Sequence, residues 1–231
     1  MTSPTRPTNP TIDAPVSRPA SEPKVESFLD WFRINSKVVT IAAVVVAAAI
    51  FGFWFYTRSN VLKAENADRR LLAAKQSLNS GNLPLAQSDL KKVADQYAET
   101  SAGAEAGLLL AQVKLEQNDT QGAITTLREL TEKNASGPYA APIRTLLGDA
   151  MSQAGKHAEA AAEYERASTL TQGPNERALL LGKIARAYAA AGNSAKARTA
   201  WEALANQSDS PSMAAEARVR LGELLATSAK P

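Results

Sequence analysis

The sequence predicts an all-α protein in which one membrane-spanning helix is followed by a solenoid of about four helix pairs and a capping helix. Three observations predict this fold. A run of 19 residues without charge occupies positions 38–56. The chain beyond it is rich in Ala, Leu, Glu, Lys, Arg and Gln, with apolar residues at helical spacing. The same pattern then recurs every 37 residues, which is typical of helical repeat arrays.

Composition excludes several classes of function. The chain of 231 residues has no cysteine, which excludes disulfides, iron–sulfur clusters, thiolate zinc sites and a Cys nucleophile. Its one histidine, His157, leaves little for imidazole-based metal binding or acid–base catalysis. The 26 basic and 23 acidic residues are spread along the chain, without the basic block of a nucleic-acid-binding protein. We therefore expect no catalytic residues, no cofactor, no metal and no nucleic-acid partner.

The N-terminal segment is polar and rich in proline. Residues 1–24 contain six of the twelve prolines among Thr, Ser and Asn, which predicts a disordered tail. Residues 25–37 include the stretch FLDWFRINSK, an amphipathic segment directly before the apolar run. We expect this segment to lie next to the membrane.

Residues 38–56 are predicted to form a transmembrane helix and to contact the lipid bilayer. A helix of this length covers about 28 Å, against roughly 30 Å for a hydrocarbon core. Aromatic residues flank the run at both ends, as at membrane interfaces. A cleavable signal peptide is the alternative, because Ala47–Ala49 resemble a cleavage site, but the run continues to Tyr56, which favours an uncleaved signal anchor. Basic residues are nearly balanced at the two ends, so charge leaves the orientation open.

Four sets of residues define the repeat. The turn residues are Gly81, Asn118, Gly155 and Gly192. Seven residues earlier come the small residues Ala74, Ala111, Gly148 and Ala185. Five residues after the turn come Ala86, Ala123, Ala160 and Ala197. Nine residues after it come the large residues Leu90, Leu127, Tyr164 and Trp201.

Each repeat predicts a helical hairpin. Glycine or asparagine ends the first helix, since both tolerate a left-handed backbone. The small residues let the two helices approach closely, and the large residue fills the space between neighbouring hairpins. A last helix at about 212–227 is predicted to cap the array, because terminal repeats need a polar outer face.

This spacing resembles the tetratricopeptide repeat over about residues 66–226, within a predicted domain at 57–227 that leaves 228–231 as a tail. The usual period is about 34, so each unit carries three extra residues. We expect them between the hairpins, where SAGA, NASGP, TQGP and SDSPS lie. The large aromatic residue that the family carries near the start of the first helix is replaced by Arg70, Gly107, Arg144 and Leu181.

A helical solenoid offers a concave surface lined by the first helix of each pair. Counting from the turns, the predicted peptide groove contains Leu71, Lys75, Leu108, Gln112, Leu115, Asp149 and Arg186. Its half nearer the membrane is apolar and its distal half polar. Alternatively, Leu71, Leu108 and Leu115 are packed beneath neighbouring helices and only fill the core.

The order of parts resembles the single-span tetratricopeptide proteins of the bacterial inner membrane, in particular the ancillary subunit of the Sec translocon (YfgM type). In that family paired aromatics and an Asn-Xaa-Lys precede the anchor, as Trp31, Phe32, Asn35 and Lys37 do here. The resemblance implies a cytoplasmic N-terminus, a periplasmic repeat domain, and contacts with translocon components, periplasmic chaperones or secreted chains. A tetratricopeptide scaffold for cell-envelope assembly or cell division is the alternative function, and an enzyme is the weakest hypothesis.

Overall fold

The computed structural model describes residues 36–228 of the chain. The predicted tail at 1–24 and most of the predicted juxtamembrane segment at 25–37 lie outside these residues. All regular structure in the described range is α-helical, as predicted. The helices are α1 (Ser36–Asn79), α2 (Leu83–Gln96), α3 (Ser101–Glu116), α4 (Thr120–Lys133), α5 (Ala140–Gln153), α6 (His157–Leu170), α7 (Pro174–Ala190), α8 (Ser194–Ala205) and α9 (Pro211–Ser228).

The chain divides into two compact units, and the second begins at Arg58. Helix α1 belongs to the first unit as far as Thr57. By length and composition α1 could cross a membrane, and it is the one helix of the described range that could. In its most apolar window 0% of the residues are buried, whereas a core helix of a soluble protein is mostly buried. Its large side chains, such as Phe53 and Trp54, are exposed.

In the second unit, consecutive helices pack as antiparallel hairpins in the predicted order. The pairs are the end of α1 with α2, then α3 with α4, α5 with α6, and α7 with α8, with α9 last. One core cluster lies between α1, α2 and α3, and a larger one extends from α3 to α9. We call the first and second helices of each pair the A helix and the B helix.

The predicted turns are confirmed. All four predicted turn residues have positive φ, between 62° at Asn118 and 76° at Gly81 and Gly192. In each turn, two backbone N–H groups donate to the last carbonyls of the A helix; at Gly155 the acceptor is Ser152 and at Lys156 it is Met151. This pattern satisfies carbonyls that the helix end would otherwise leave unpaired.

The small and large residues of the repeat are buried, as predicted. The large residue does not lie only between neighbouring hairpins, because the ring of Tyr164 packs against Gly148 of its own hairpin as well as beside Lys183 of the next one. The small residues at both positions are buried in all four pairs. The large residues Leu90, Leu127, Tyr164 and Trp201 are buried as well. At Gly148 the fit is tightest, since a Cβ atom built there would lie 2.5 Å from Cε1 of Tyr164. The small residue therefore sets how closely A and B helices approach.

The location predicted for the extra residues is wrong in part. Residues 101–104, predicted as a loop, form the first turn of α3, which Thr100 caps by accepting a hydrogen bond from the N–H of Gly103 at 3.1 Å. Loops of four, six and three residues precede A helices of 16, 14 and 17 residues in the second, third and fourth pairs. Loop and helix thus compensate for each other, and the period stays constant.

Candidate functional site

The A helices form the inner face of the second unit. Salt bridges join neighbouring A helices near both ends of this face. At one end, Nζ of Lys75 lies 2.5 Å from Oε1 of Glu105 on α3. At the other end, a guanidinium nitrogen of Arg186 on α7 lies 3.2 Å from Oε1 of Glu216 on α9. The two partners are separated by the same number of residues in each pair, so these salt bridges repeat one structural register.

In the middle of the face the same register carries no ion pair. Gln112 and Asp149 occupy the positions of Lys75 and Arg186, and Pro142 and Leu179 occupy the positions of the two glutamates. Pro142 and Leu179 carry no charge, so they cannot form a salt bridge with the neighbouring helix. This register therefore carries no salt bridge at the third pair, where Asp149 pairs instead with Lys183 on α7.

A cleft of about 860 Å³ opens at this place. Helices α3, α5 and α7 and the loops before α5 and α7 line it. Its apolar side chains include Pro142, Leu146, Leu170 and Leu179, and its polar ones include Gln112, Thr145, Asp149 and Glu176. Leu179 is 46% exposed although it is large and apolar. The cleft combines apolar side chains with the carboxylates of Asp149 and Glu176, and its lining residues include no Lys or Arg.

Asp149 is held in place by two partners. Its Oδ1 accepts a hydrogen bond from the hydroxyl of Tyr164 at 2.6 Å and one from Nζ of Lys183 at 2.5 Å. Burial raises the pKa of the Tyr164 hydroxyl above its usual range, and the hydrogen bond to Asp149 raises it further. Tyr164 therefore stays protonated at neutral pH, and it serves as a fixed donor that orients the carboxylate.

The seven predicted groove residues fall into three groups. Gln112 and Asp149 line the cleft. Lys75 and Arg186 lie on the inner face in the salt bridges described above. The three leucines pack on the core: Leu71 is only 4% exposed, and Leu108 and Leu115 are partly buried against the larger cluster. Whether any of the seven binds a peptide stays a prediction.

Sequence reasoning missed the apolar cleft residues Pro142 and Leu179. They lie one helical turn before Thr145 and Gly182, the counterparts of the predicted Leu108 in the third and fourth pairs, on the same helix face. Extending the predicted face by one turn toward the helix N-termini would have included both residues.

The described residues contain no group of three or more His, Asp or Glu side chains that could hold a metal ion. His157 is the first residue of α6, and its Nδ1 lies 3.5 Å from the hydroxyl of Ser152. Glu163 is buried, and Arg144 donates to it at 2.9 Å while Arg166 also pairs with it. The pair of Arg144 and Glu163 joins α5 to α6.

The fold and the inner face define a helical repeat scaffold. The family model of the tetratricopeptide repeat-like domain matches residues 66–185, and a tetratricopeptide repeat model matches residues 183–210. The chain therefore belongs to the tetratricopeptide repeat-like family. This fold typically acts as a non-catalytic scaffold for protein–protein interaction.

Solved structures show the same fold. A tetratricopeptide repeat protein from Parabacteroides merdae aligns with a TM-score of 0.58 at 12% identity, covering 71% of this chain and 61% of its own. The pilF protein of Pseudomonas aeruginosa aligns with a TM-score of 0.54 at 20% identity, covering 72% and 70%. TPR-like repeats of a kinesin light chain from Podosopora anserina align at 0.55 and 19%, covering 70% and 86%. No curated protein matches the sequence.

Proposed function

We propose that this protein is a membrane-anchored scaffold whose repeat domain captures segments of other proteins in the cleft between α3, α5 and α7. The cleft carries the proposal, because it joins exposed apolar side chains to fixed polar groups on the inner face of a tetratricopeptide domain. Helix α1 supports the membrane anchor, because no residue in its most apolar stretch is buried. Repeat scaffolds of this kind bind with the surfaces that their A helices present.

The partner segment carries apolar side chains. Leu179 and Pro142 offer apolar area that becomes buried on binding, at about 25 cal/mol per Å². Thr145, Gln112 and the oriented carboxylate of Asp149 offer hydrogen bonds to the backbone or to a donor side chain of the partner.

Within this class, we propose that the partners are components of the protein-export machinery of a bacterial inner membrane, together with periplasmic chaperones or secreted chains. The likeness of the anchor region to the ancillary translocon subunits supports this assignment. A scaffold for cell-envelope assembly or cell division would use the same cleft and anchor with other partners.

Site-specific photo-crosslinking tests the cleft. A photoreactive amino acid is placed at Leu179 in one full-length protein and at Leu85 on α2 in a matched control. The two side chains are equally exposed, at 46%, but Leu85 does not line the cleft. We expect partner adducts from position 179 and far fewer from position 85. Equal yields would contradict the cleft as the binding surface.

The identity of the adducts separates the two functions. Translocon subunits or chaperones support the export assignment, whereas division or envelope-assembly proteins would replace it with the alternative. In parallel, Leu179→Gln should reduce co-purification of the same partner at least tenfold, and Leu85→Gln should not.

A further inference from the structure

Every charged group among the described residues that line the cleft is a hydrogen-bond acceptor. Asp149 and Glu176 are its ionisable side chains, and an ionised carboxylate only accepts. The hydroxyls of Thr145 and Thr171 donate to the carbonyls four residues earlier, at 2.9 Å and 3.2 Å, so their oxygens are left to accept as well. The remaining side-chain donors of the lining are neutral, on Gln112, Ser136 and Gln172.

The two carboxylates of the cleft differ in whether their charge is matched. Oδ1 of Asp149 accepts from Nζ of Lys183 at 2.5 Å, which neutralises this aspartate. The carboxylate of Glu176 forms no hydrogen bond or ion pair with the residues that the structure describes. Glu176 therefore carries the unmatched negative charge of the cleft.

The basic residues of α5 and α7 have partners other than Glu176. Three of them are in ion pairs: Arg144 with Glu163, Lys183 with Asp149, and Arg186 with Glu216. The fourth, Arg177, donates to the carbonyl of Thr171 at 3.2 Å. Arg177 directly follows Glu176, and adjacent residues of a helix do not face each other. A cation for Glu176 would therefore come from the bound segment.

The repeat itself does not require an acidic residue at this position. Negative charge is favourable in the first turn of a helix, yet α3, α5 and α9 have no acidic residue there. The counterparts of Glu176 are Glu65, Ala102, Tyr139 and Met213, so the residue type varies from one repeat to the next. The side chain is also exposed, and core packing does not explain it.

Glu176 lies beside the exposed apolar part of the cleft. Leu179 follows it by three residues on α7, and residues at this spacing are neighbours on a helix surface, with Cβ atoms about 5–6 Å apart. Leu179 is large, apolar and 46% exposed. A segment that covers Leu179 therefore comes within reach of Glu176.

We propose that the segment bound in the cleft carries a lysine or arginine next to its apolar side chain, and that Glu176 binds this cation. The inference rests on the proposed function, because it names the charge of the partner segment at the same site. The aliphatic stem of lysine or arginine would also cover part of Leu179. A segment with a carboxylate at this place would meet Glu176 with like charge and be disfavoured.

The expected effect on affinity is modest, because Glu176 is exposed. Ion pairs at exposed sites contribute little, and salt screens them. The cation should therefore change the affinity about twofold to fivefold, while the apolar contact with Leu179 supplies most of the binding. Glu176 mainly determines which charge the cleft prefers.

A randomised peptide library displayed on phage tests this preference. The library is selected on the full-length protein in lipid nanodiscs, after depletion on empty nanodiscs. Glu176→Lys and Glu202→Lys are selected in parallel. Glu202 is the matched control, because it is also exposed, lies on α8 outside the cleft, and its replacement changes the net charge equally. Leu179→Gln reports whether the selected peptides bind in the cleft.

Peptides selected by the wild type and by Glu202→Lys should be enriched in Lys or Arg beside an apolar residue. Glu176→Lys should select Asp or Glu at that place instead. Glu176→Gln, which keeps the shape of the side chain, should lose the basic preference without gaining the acidic one. In fluorescence anisotropy, a wild-type-selected peptide should bind at least fivefold more weakly to Glu176→Lys, and Glu202→Lys should change its binding less than twofold. The difference should shrink as the salt concentration rises.

Failure of this inference and failure of the proposed function give different results. If Leu179→Gln abolishes binding but the wild type selects no excess of basic residues, or Glu176→Lys selects the same peptides, the cleft binds segments without reading their charge. The inference is then wrong and the proposed function stands. If Leu179→Gln binds the selected peptides as the wild type does, or the wild type selects none, both are wrong. Glu176→Gln should melt as the wild type does, so that its altered preference reflects the lost charge.

Discussion

Gly148 and Gly222 occupy the same position in the third and in the last A helix, and alanine at each should have opposite effects on stability. In a helix interior, Gly→Ala is favourable by about 1 kcal/mol, because glycine loses more backbone entropy on folding. At Gly222 nothing lies within 4 Å of the new methyl group. Gly222→Ala should therefore be neutral or stabilise the domain by up to about 1 kcal/mol.

At Gly148 the new methyl group would lie 2.5 Å from Cε1 and 2.7 Å from Cδ1 of Tyr164. The ring cannot move away easily, because its hydroxyl donates to Asp149 at 2.6 Å and Nζ of Lys183 lies 5.4 Å from its centroid. Overpacking of this kind costs about 1–3 kcal/mol. After the helix-propensity gain, Gly148→Ala should destabilise the domain by about 0–2 kcal/mol, and by about 1–3 kcal/mol relative to Gly222→Ala.

Urea unfolding of both variants, followed by circular dichroism at equal protein concentration in detergent, measures the difference. Gly148→Ala should unfold at a lower urea concentration than Gly222→Ala. In a thermal melt of a domain of this size, a loss of 1 kcal/mol lowers the Tm by about 2–4 °C. A Gly148→Ala variant at least as stable as Gly222→Ala would refute the close crossing of α5 and α6.

Other predictions test the core, the anchor and the ionisable groups. Trp201→Ala should cost about 3–5 kcal/mol of unfolding free energy, because the indole is buried in the larger core cluster; a loss under about 1 kcal/mol would contradict a core position. A fragment starting at Arg58 should be soluble and give a helical far-ultraviolet spectrum, and a strand-dominated spectrum would contradict the repeat fold. The full chain should resist alkaline carbonate extraction if α1 spans a membrane, and a reporter fused after Pro231 should be active only outside the cytoplasm. Burial raises the pKa of Tyr164 and of Tyr188, and the hydrogen bonds to Asp149 and Glu165 raise it further. In the unfolded chain tyrosine ionises near pH 10. The free energy of unfolding that Tyr164 and Tyr188 contribute through their raised pKa is therefore fully present below about pH 10, and it is lost as the pH rises above that value. Tyr164→Phe should therefore lose less stability than the wild type between about pH 9 and pH 11, and equal losses would contradict the raised pKa of Tyr164.

The helix pairs and their packing could be predicted from the sequence, because they depend on local spacing. A left-handed turn needs glycine or asparagine, and a close crossing needs a small residue on each helix. Both requirements place a particular type of residue at a fixed sequence distance from the turn in every repeat. The sequence alone therefore identifies the turns at Gly81, Asn118, Gly155 and Gly192, all of which have positive φ. The capping helix followed from the same period, and the structure places it at Pro211–Ser228.

The helix starts could not be predicted as well. Residues 101–104 contain serine, alanine and glycine, which suit a loop as well as a first helical turn. The hydroxyl of Thr100, which caps α3, decided the outcome in favour of the helix. Loop length and helix length compensate within a constant period, so the period alone does not show where one ends and the other begins.

The sequence by itself determined the all-helical class, the hairpin repeat, the buried small and large residues, and an apolar stretch long enough to cross a membrane. Only the tertiary structure decided which inner-face residues line the cleft and which pack on the core. It placed Asp149 against Tyr164 and Lys183, and it opened the cleft beside Pro142 and Leu179. The physical reason is that contacts between neighbouring pairs depend on their relative rotation. Packing across the whole solenoid sets that rotation, and no local spacing in the sequence records it.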